Sequence, residues 1–71
     1  MADIDQERTY EVIGMTCHHC ELSVQEEVAE IAGVRSAVAD HERGRLTVIG
    51  ESIDDHAVER AVEEAGYQVA P

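Results

Sequence analysis

Thr9-Tyr10-Glu11-Val12-Ile13, running directly into Gly14-Met15-Thr16-Cys17-His18-His19-Cys20, is the stretch on which the reading of this chain turns. Its first half alternates, with Tyr10 and Val12 on one face, as a half-buried strand does. From Cys20 onward the period changes. Apolar side chains then recur at Cys20, Val24, Val28 and Ile31, one stripe of an amphipathic helix. Glu21, Gln25, Glu26, Glu27 and Glu30 fall mostly on the solvated side of that stripe. A strand thus passes into a helix across a short loop that holds both cysteines of the chain.

The same two periods organise the remainder. Residues 1 to 7 are polar and acidic and read as a frayed terminus. Gly33 supplies a stop for the first helix. Val34 to Asp40 reads as a second strand, with Ala37 and Ala39 at its inward positions. His41-Glu42-Arg43-Gly44 reads as a hairpin turn and Arg45 to Ile49 as a third strand, with Leu46 and Val48 facing inward. Asp54 is a good N-cap, and Ile53 before it is placed to staple onto Val58. Val58, Ala61, Val62 and Ala65 form the inner stripe of a second helix that ends at Gly66, and Tyr67-Gln68-Val69 is a short last strand. The order βαββαβ predicts an α+β fold: a four-stranded antiparallel sheet with both helices on one face, the ferredoxin-like arrangement.

Size and composition narrow the function. Seventy-one residues make one domain, of a size that buries roughly 60% of its unfolded surface. That leaves no room for a catalytic cleft beside the core, so the chain is not expected to be an enzyme. With two Tyr and no Phe or Trp, the core must be aliphatic. The formal charge of −11 comes from 16 acidic residues against five arginines, without lysine. Nucleic acid is excluded as a partner, because phosphate contacts need a basic patch. A basic partner surface is electrostatically favoured; an acidic surface kept for solubility is the plainer account. The first residues lack an apolar signal segment, and no stretch is apolar enough to insert in a membrane. The expected location is cytoplasmic and reducing, where both thiols stay free.

Cys17 and Cys20, three positions apart, can turn toward one point, and thiolates select soft metals, Cu(I) above all. A helix N-terminus beside them carries partial positive charge, which lowers a thiol's pKa and favours the anionic form. Two Cys with His18 and His19 would supply a zinc ligand set. Four successive residues cannot wrap a tetrahedral ion, however, so the histidines are expected in solvent and Zn(II) is expected to bind more weakly than Cu(I). His41 and His56 read as plain surface residues. A redox dithiol is the competing class.

With these residues placed, the chain resembles the heavy-metal-associated domain of copper chaperones and of the N-terminal tails of heavy-metal P-type ATPases. The resemblance rests on Gly14-Met15-Thr16-Cys17-His18-His19-Cys20, Ile31-Ala32-Gly33-Val34, Gly44 and Ala65-Gly66-Tyr67, and extends from about residue 9 to about residue 69. It implies one Cu(I) per chain, held by Cys17 and Cys20 in near-linear geometry. It further implies Met15 tucked into the core as a support for the loop, and Tyr67 on a neighbouring loop beside the site. Thr16 before the first cysteine looks like the copper-binding members. The implied role is a soluble metallochaperone that delivers copper to a copper-transporting P-type ATPase by thiolate exchange. One metal-binding domain of such an ATPase is the alternative. The apo form would be a monomer, and a copper-bridged dimer is open to the loaded form. His18 and His19 stand between the cysteines where many members have small or polar residues, and Glu21 replaces the apolar residue often found just after the second cysteine.

Overall fold

The computed structural model describes residues 6–70. Its elements run β1 (Gln6–Ile13), α1 (His18–Ala29), β2 (Val34–Asp40), β3 (Arg45–Gly50), α2 (Asp55–Glu64) and β4 (Gln68–Val69). The strands form one sheet in the order β2-β3-β1-β4, antiparallel at each pairing. The expected βαββαβ ferredoxin-like architecture is the observed one.

Sheet register follows from which side chains must go inside. Leu46 of β3 sits opposite Tyr10 of β1 and Ala39 of β2. Leu46 is fully buried, with Val48 beside it on the same face. The helices lay Val24 and Val28 of α1, and Val58 and Val62 of α2, onto that face, all four fully buried. Burying such a side chain contributes about 1.5–3 kcal/mol relative to leaving it in water, so a handful of aliphatic residues carries the core. Tyr10 and Tyr67 pack only at its margin.

Three boundaries differ from the sequence reading. Of the segment expected to fray, residues 1 to 7, the first five lie outside the described residues. Gln6 and Glu7 belong to β1, opposite Gly50 and Ile49 of β3. The Gln6 side chain also accepts the Ile53 N–H at 3.3 Å. Polar residues are held there by backbone pairing, which needs no apolar pattern. Helix α1 ends at Ala29, before Ile31; Ile31 lies in the following turn, its N–H bonded to the Val28 carbonyl, and still packs on the core. Tyr67 precedes β4 and is not part of it.

Gly33 answers a close approach as well as a turn. Its φ is +92°, and a Cβ there would stand 2.3 Å from the Glu51 carbonyl oxygen. Gly50 faces it across the β2–β3 ladder, where a Cβ would meet the Gly33 oxygen at 2.1 Å. Two backbones therefore touch at this point, and side chains are excluded from both.

Candidate metal centre

Three elements deliver the site. Strand β1 ends at Ile13, and Gly14 turns the chain with φ +102°. Met15 then drops into the core, only 6% exposed, and anchors the loop from below. Thr16 and Cys17 lie at the surface. Cys17 is the N-cap of α1 in extended conformation, and Cys20 in the first turn is buried on the inner stripe. The two sulfurs stand 3.4 Å apart, both cysteines are free thiols, and the Thr16 Oγ1 lies 3.9 Å from the Cys20 Sγ.

Tyr67 reaches this site from the other end of the molecule. Helix α2 closes in a Schellman turn: Gly66, with φ +99°, donates to the Glu63 carbonyl at 2.9 Å, and Tyr67 donates to the Val62 carbonyl at 3.0 Å. The short β1–β4 pairing sets Gln68 opposite Ile13. Tyr67 consequently lies against Gly14, where an added Cβ would come within 3.1 Å of the ring. Gly14 thus serves the turn and leaves space for the tyrosine.

Polar groups converge on the Cys20 sulfur. The Thr16 backbone N–H, then the Tyr67 hydroxyl and the Cys17 thiol, hold its pKa down at about 6. The Tyr67 hydroxyl shifts in the opposite sense, upward, because its hydrogen bond to the Cys20 sulfur favours the protonated phenol, with burial and the nearby sulfur charge adding to it. At neutral pH Cys20 is therefore mostly thiolate, the form in which cysteine binds metal. The sequence expectation of a lowered thiol pKa at the helix start is met, and loop N–H groups are the largest cause.

The histidines divide. His18 is exposed, 73% for its side chain, and turns its Nδ1 to Glu21 at 3.0 Å; His19 is also exposed. His56 is exposed as expected, apart from its backbone N–H on Asp54. His41 departs from the expectation of a plain surface residue. Its Nδ1 and its backbone N–H both bond to Glu21 Oε2, each at 2.7 Å. Glu21, expected on the solvated face, has a side chain only 14% exposed. The His41 N–H and imidazole lower its pKa to about 2, and the carboxylate in turn raises that of His41. Nothing in the sequence tied residue 21 to residue 41; the one available sign was a glutamate at a position where the family usually places an apolar side chain.

The heavy-metal-associated domain profile matches residues 9–68, and the chain belongs to that family. Copper chaperone CopZ of Bacillus subtilis is 31% identical over 67 residues, an alignment spanning 92% of this chain and 97% of that one. A solved structure titled "CopZ metallochaperone" superposes with a TM-score of 0.87 at 30% identity, covering 92% of this chain and 100% of the other. The Arabidopsis thaliana protein named "Probable copper-transporting ATPase HMA5" is 29% identical over 63 residues, 86% of this chain; the chain spans 6% of that ATPase. Among the described residues, no helix is long and apolar enough to cross a membrane.

Proposed function

We propose that this protein is a cytoplasmic Cu(I) carrier that binds one ion per chain between the sulfurs of Cys17 and Cys20. It passes the ion to a copper-transporting P-type ATPase by thiolate exchange. The observation that carries this reading is the geometry of the pair: two sulfurs 3.4 Å apart at an exposed helix start. The chain around them aligns with a copper chaperone along nearly the whole length of both.

The two cysteines differ in a way that suits hand-over. Cys17 is exposed and Cys20 is buried, so an incoming thiolate meets the ion from the Cys17 side. A new sulfur–copper bond forms first; the bond to Cys17 then breaks, and the bond to Cys20 breaks last. Two-coordinate Cu(I) tolerates the three-sulfur intermediate, and the same two thiolates leave Zn(II) short of its usual four ligands. Met15 supports the loop from the core, while Thr16 and Tyr67 touch the Cys20 sulfur and tune its charge. Binding and transfer make no bond within a substrate, so the role is not enzymatic.

The similarity to part of a plant ATPase favours a second reading, in which the domain is a metal-binding segment of a transporter. Both readings use the same cysteine pair. Cu(I)-loaded protein mixed with the metal-free cysteine-pair domain of a copper ATPase, and followed by NMR of each partner, tests the carrier role. The carrier reading expects copper on the ATPase domain within the mixing time. Copper that stays with the donor, or that never loads onto it, overturns the reading.

A further inference from the structure

The start of α1 lacks the feature that normally holds a helix start. Cys17 is its N-cap, and its side chain makes no capping hydrogen bond. Ser, Thr, Asp or Asn at that position would satisfy one of the free first-turn N–H groups. The turn that carries both sulfurs is instead held from the side.

That lateral hold has a regular geometry. In the order β2-β3-β1-β4, strand β2 is an edge. The N–H groups of Ala39 and His41, two residues apart, are taken by side chains of α1: Gln25 Oε1 accepts from Ala39 at 2.9 Å, and Glu21 Oε2 from His41 at 2.7 Å. Four residues along a helix rise about 6 Å, and two along a strand about 6.8 Å. Glu21 and Gln25 on one helix face therefore match consecutive outward N–H groups of the edge, and occupy them as exposed edges need to be occupied. The two tethers differ in reach. Gln25 makes one bond, a full turn beyond the cysteines. Glu21 is covalently next to Cys20 and makes three: to the His41 N–H, to the His41 imidazole and to His18. The turn that receives it is itself braced, since Asp40 Oδ1 accepts the N–H groups of Glu42 and Arg43 at 3.0 and 3.4 Å.

We propose that Glu21, tied to the β2–β3 turn through His41, is a positioning residue for the Cys17–Cys20 pair and sets how fast Cu(I) leaves it. The inference rests on the carrier reading. The hydrogen bonds of Glu21 go to His18 and His41, and those of the sulfurs to Thr16, to Tyr67 and to each other. Glu21 keeps Cys20 and the first helical turn in place while the exposed Cys17 gives up its bond, in the manner of outer-shell groups that orient ligands.

Gln25→Ala is the matched control, because it cuts the same kind of helix-to-edge bond away from the sulfurs. Glu21→Ala, Glu21→Gln and Gln25→Ala are compared by Cu(I) loss to a chelator and, without metal, by amide hydrogen exchange at Cys20, whose N–H is bonded to the Cys17 carbonyl at 3.1 Å. The expected result is about tenfold faster loss in Glu21→Ala, the lower end of what outer-shell changes do. Loss from Gln25→Ala should stay within about twofold of the parent on the same reasoning, and Glu21→Gln, which keeps one acceptor oxygen, should recover most of the difference. Exchange at Cys20 should quicken in Glu21→Ala and not in Gln25→Ala. Equal Cu(I) loss in the two alanine variants, or equal exchange, overturns the proposal and makes Glu21 one structural tether of two. Should the parent hold no Cu(I), the carrier reading fails on its own, and the exchange comparison still decides whether Glu21 orders the cysteine turn.

Discussion

Helix α2 begins at Asp54, whose Oδ1 accepts the His56 N–H at 3.0 Å, and Asp55 in its first turn takes the Tyr10 hydroxyl at 2.7 Å and Arg8 at 3.3 Å. Helix α1 begins at Cys17, with no side-chain oxygen on its first-turn N–H groups and two free sulfurs exposed or just beneath the surface. One helix start is closed by carboxylates and bound to the sheet. The other has no side-chain cap: the Cys20 N–H turns back to the Cys17 carbonyl at 3.1 Å, and thiols stand where a capping oxygen would. The difference is the one the proposed site requires: cysteines stand at the helix start where a capping oxygen is ordinarily placed.

The largest effect expected from this contrast is on metal binding. Cys17→Ser or Cys20→Ser should weaken Cu(I) binding by at least roughly a thousandfold, or about 4 kcal/mol, because a hydroxyl is a hard and protonated donor. Chelator competition measures it. A serine variant that binds like the parent would mean that the pair is not the site.

The caps should respond in opposite directions. Asp54→Ala should cost about 1 kcal/mol of stability, from the lost cap, and lower Tm by roughly 4–8 °C, with Cu(I) affinity unchanged. Cys17→Ser should do the reverse in the metal-free protein and add about 0.5–1 kcal/mol, since serine is a good N-cap and cysteine is not. Denaturant melts of the apo proteins decide this. A destabilised Cys17→Ser would break the comparison, for it would show that the cysteine was already serving the helix.

How far this contrast could be read beforehand depends on range. Asp54 and Gly66 announced the ends of α2 because capping and left-handed termination are local chemistry. The four-residue spacing of Cys20, Val24 and Val28 likewise announced the buried face of α1. The strand at Gln6 and Glu7 had no such signal, since its cause is the backbone of β3 and the Ile53 N–H. Glu21 and His41, twenty positions apart, meet only because α1 lies along the β2 edge. Of the site, the cysteine pair was legible from spacing and the place of Tyr67 from resemblance. The cause of the low Cys20 pKa required the loop's coordinates.

A smaller effect should separate Tyr67 from ordinary packing. Tyr67→Phe removes the hydroxyl that helps hold Cys20 at about 6, so the lower thiolate transition seen by ultraviolet absorbance should move up. The sign for stability follows. A thiol pKa depressed by folding stabilises the apo protein fully above the ordinary thiol range, and that stabilisation is lost as pH falls through about 6. Tyr67→Phe should flatten this slope and speed Cu(I) loss to chelator. An unmoved transition would leave Tyr67 as a core residue only.

The smallest change is expected from His18 and His19. Replacing both by Ala should alter Cu(I) affinity by no more than about tenfold, or roughly 1.4 kcal/mol, because both are exposed and His18 is engaged with Glu21. A collapse of binding would make an imidazole a direct ligand and erase the distinction between sulfur and solvent at this helix start.

A paired competition titration of the parent protein with Cu(I) and Zn(II), each against a chelator of known affinity, puts the Cys17–Cys20 pair to the test. One Cu(I) per chain should be retained against its chelator and Zn(II) surrendered far more readily, since two thiolates satisfy the first ion and not the second. Zn(II) held more tightly than Cu(I), or no copper retained at all, would contradict the proposed Cu(I) site.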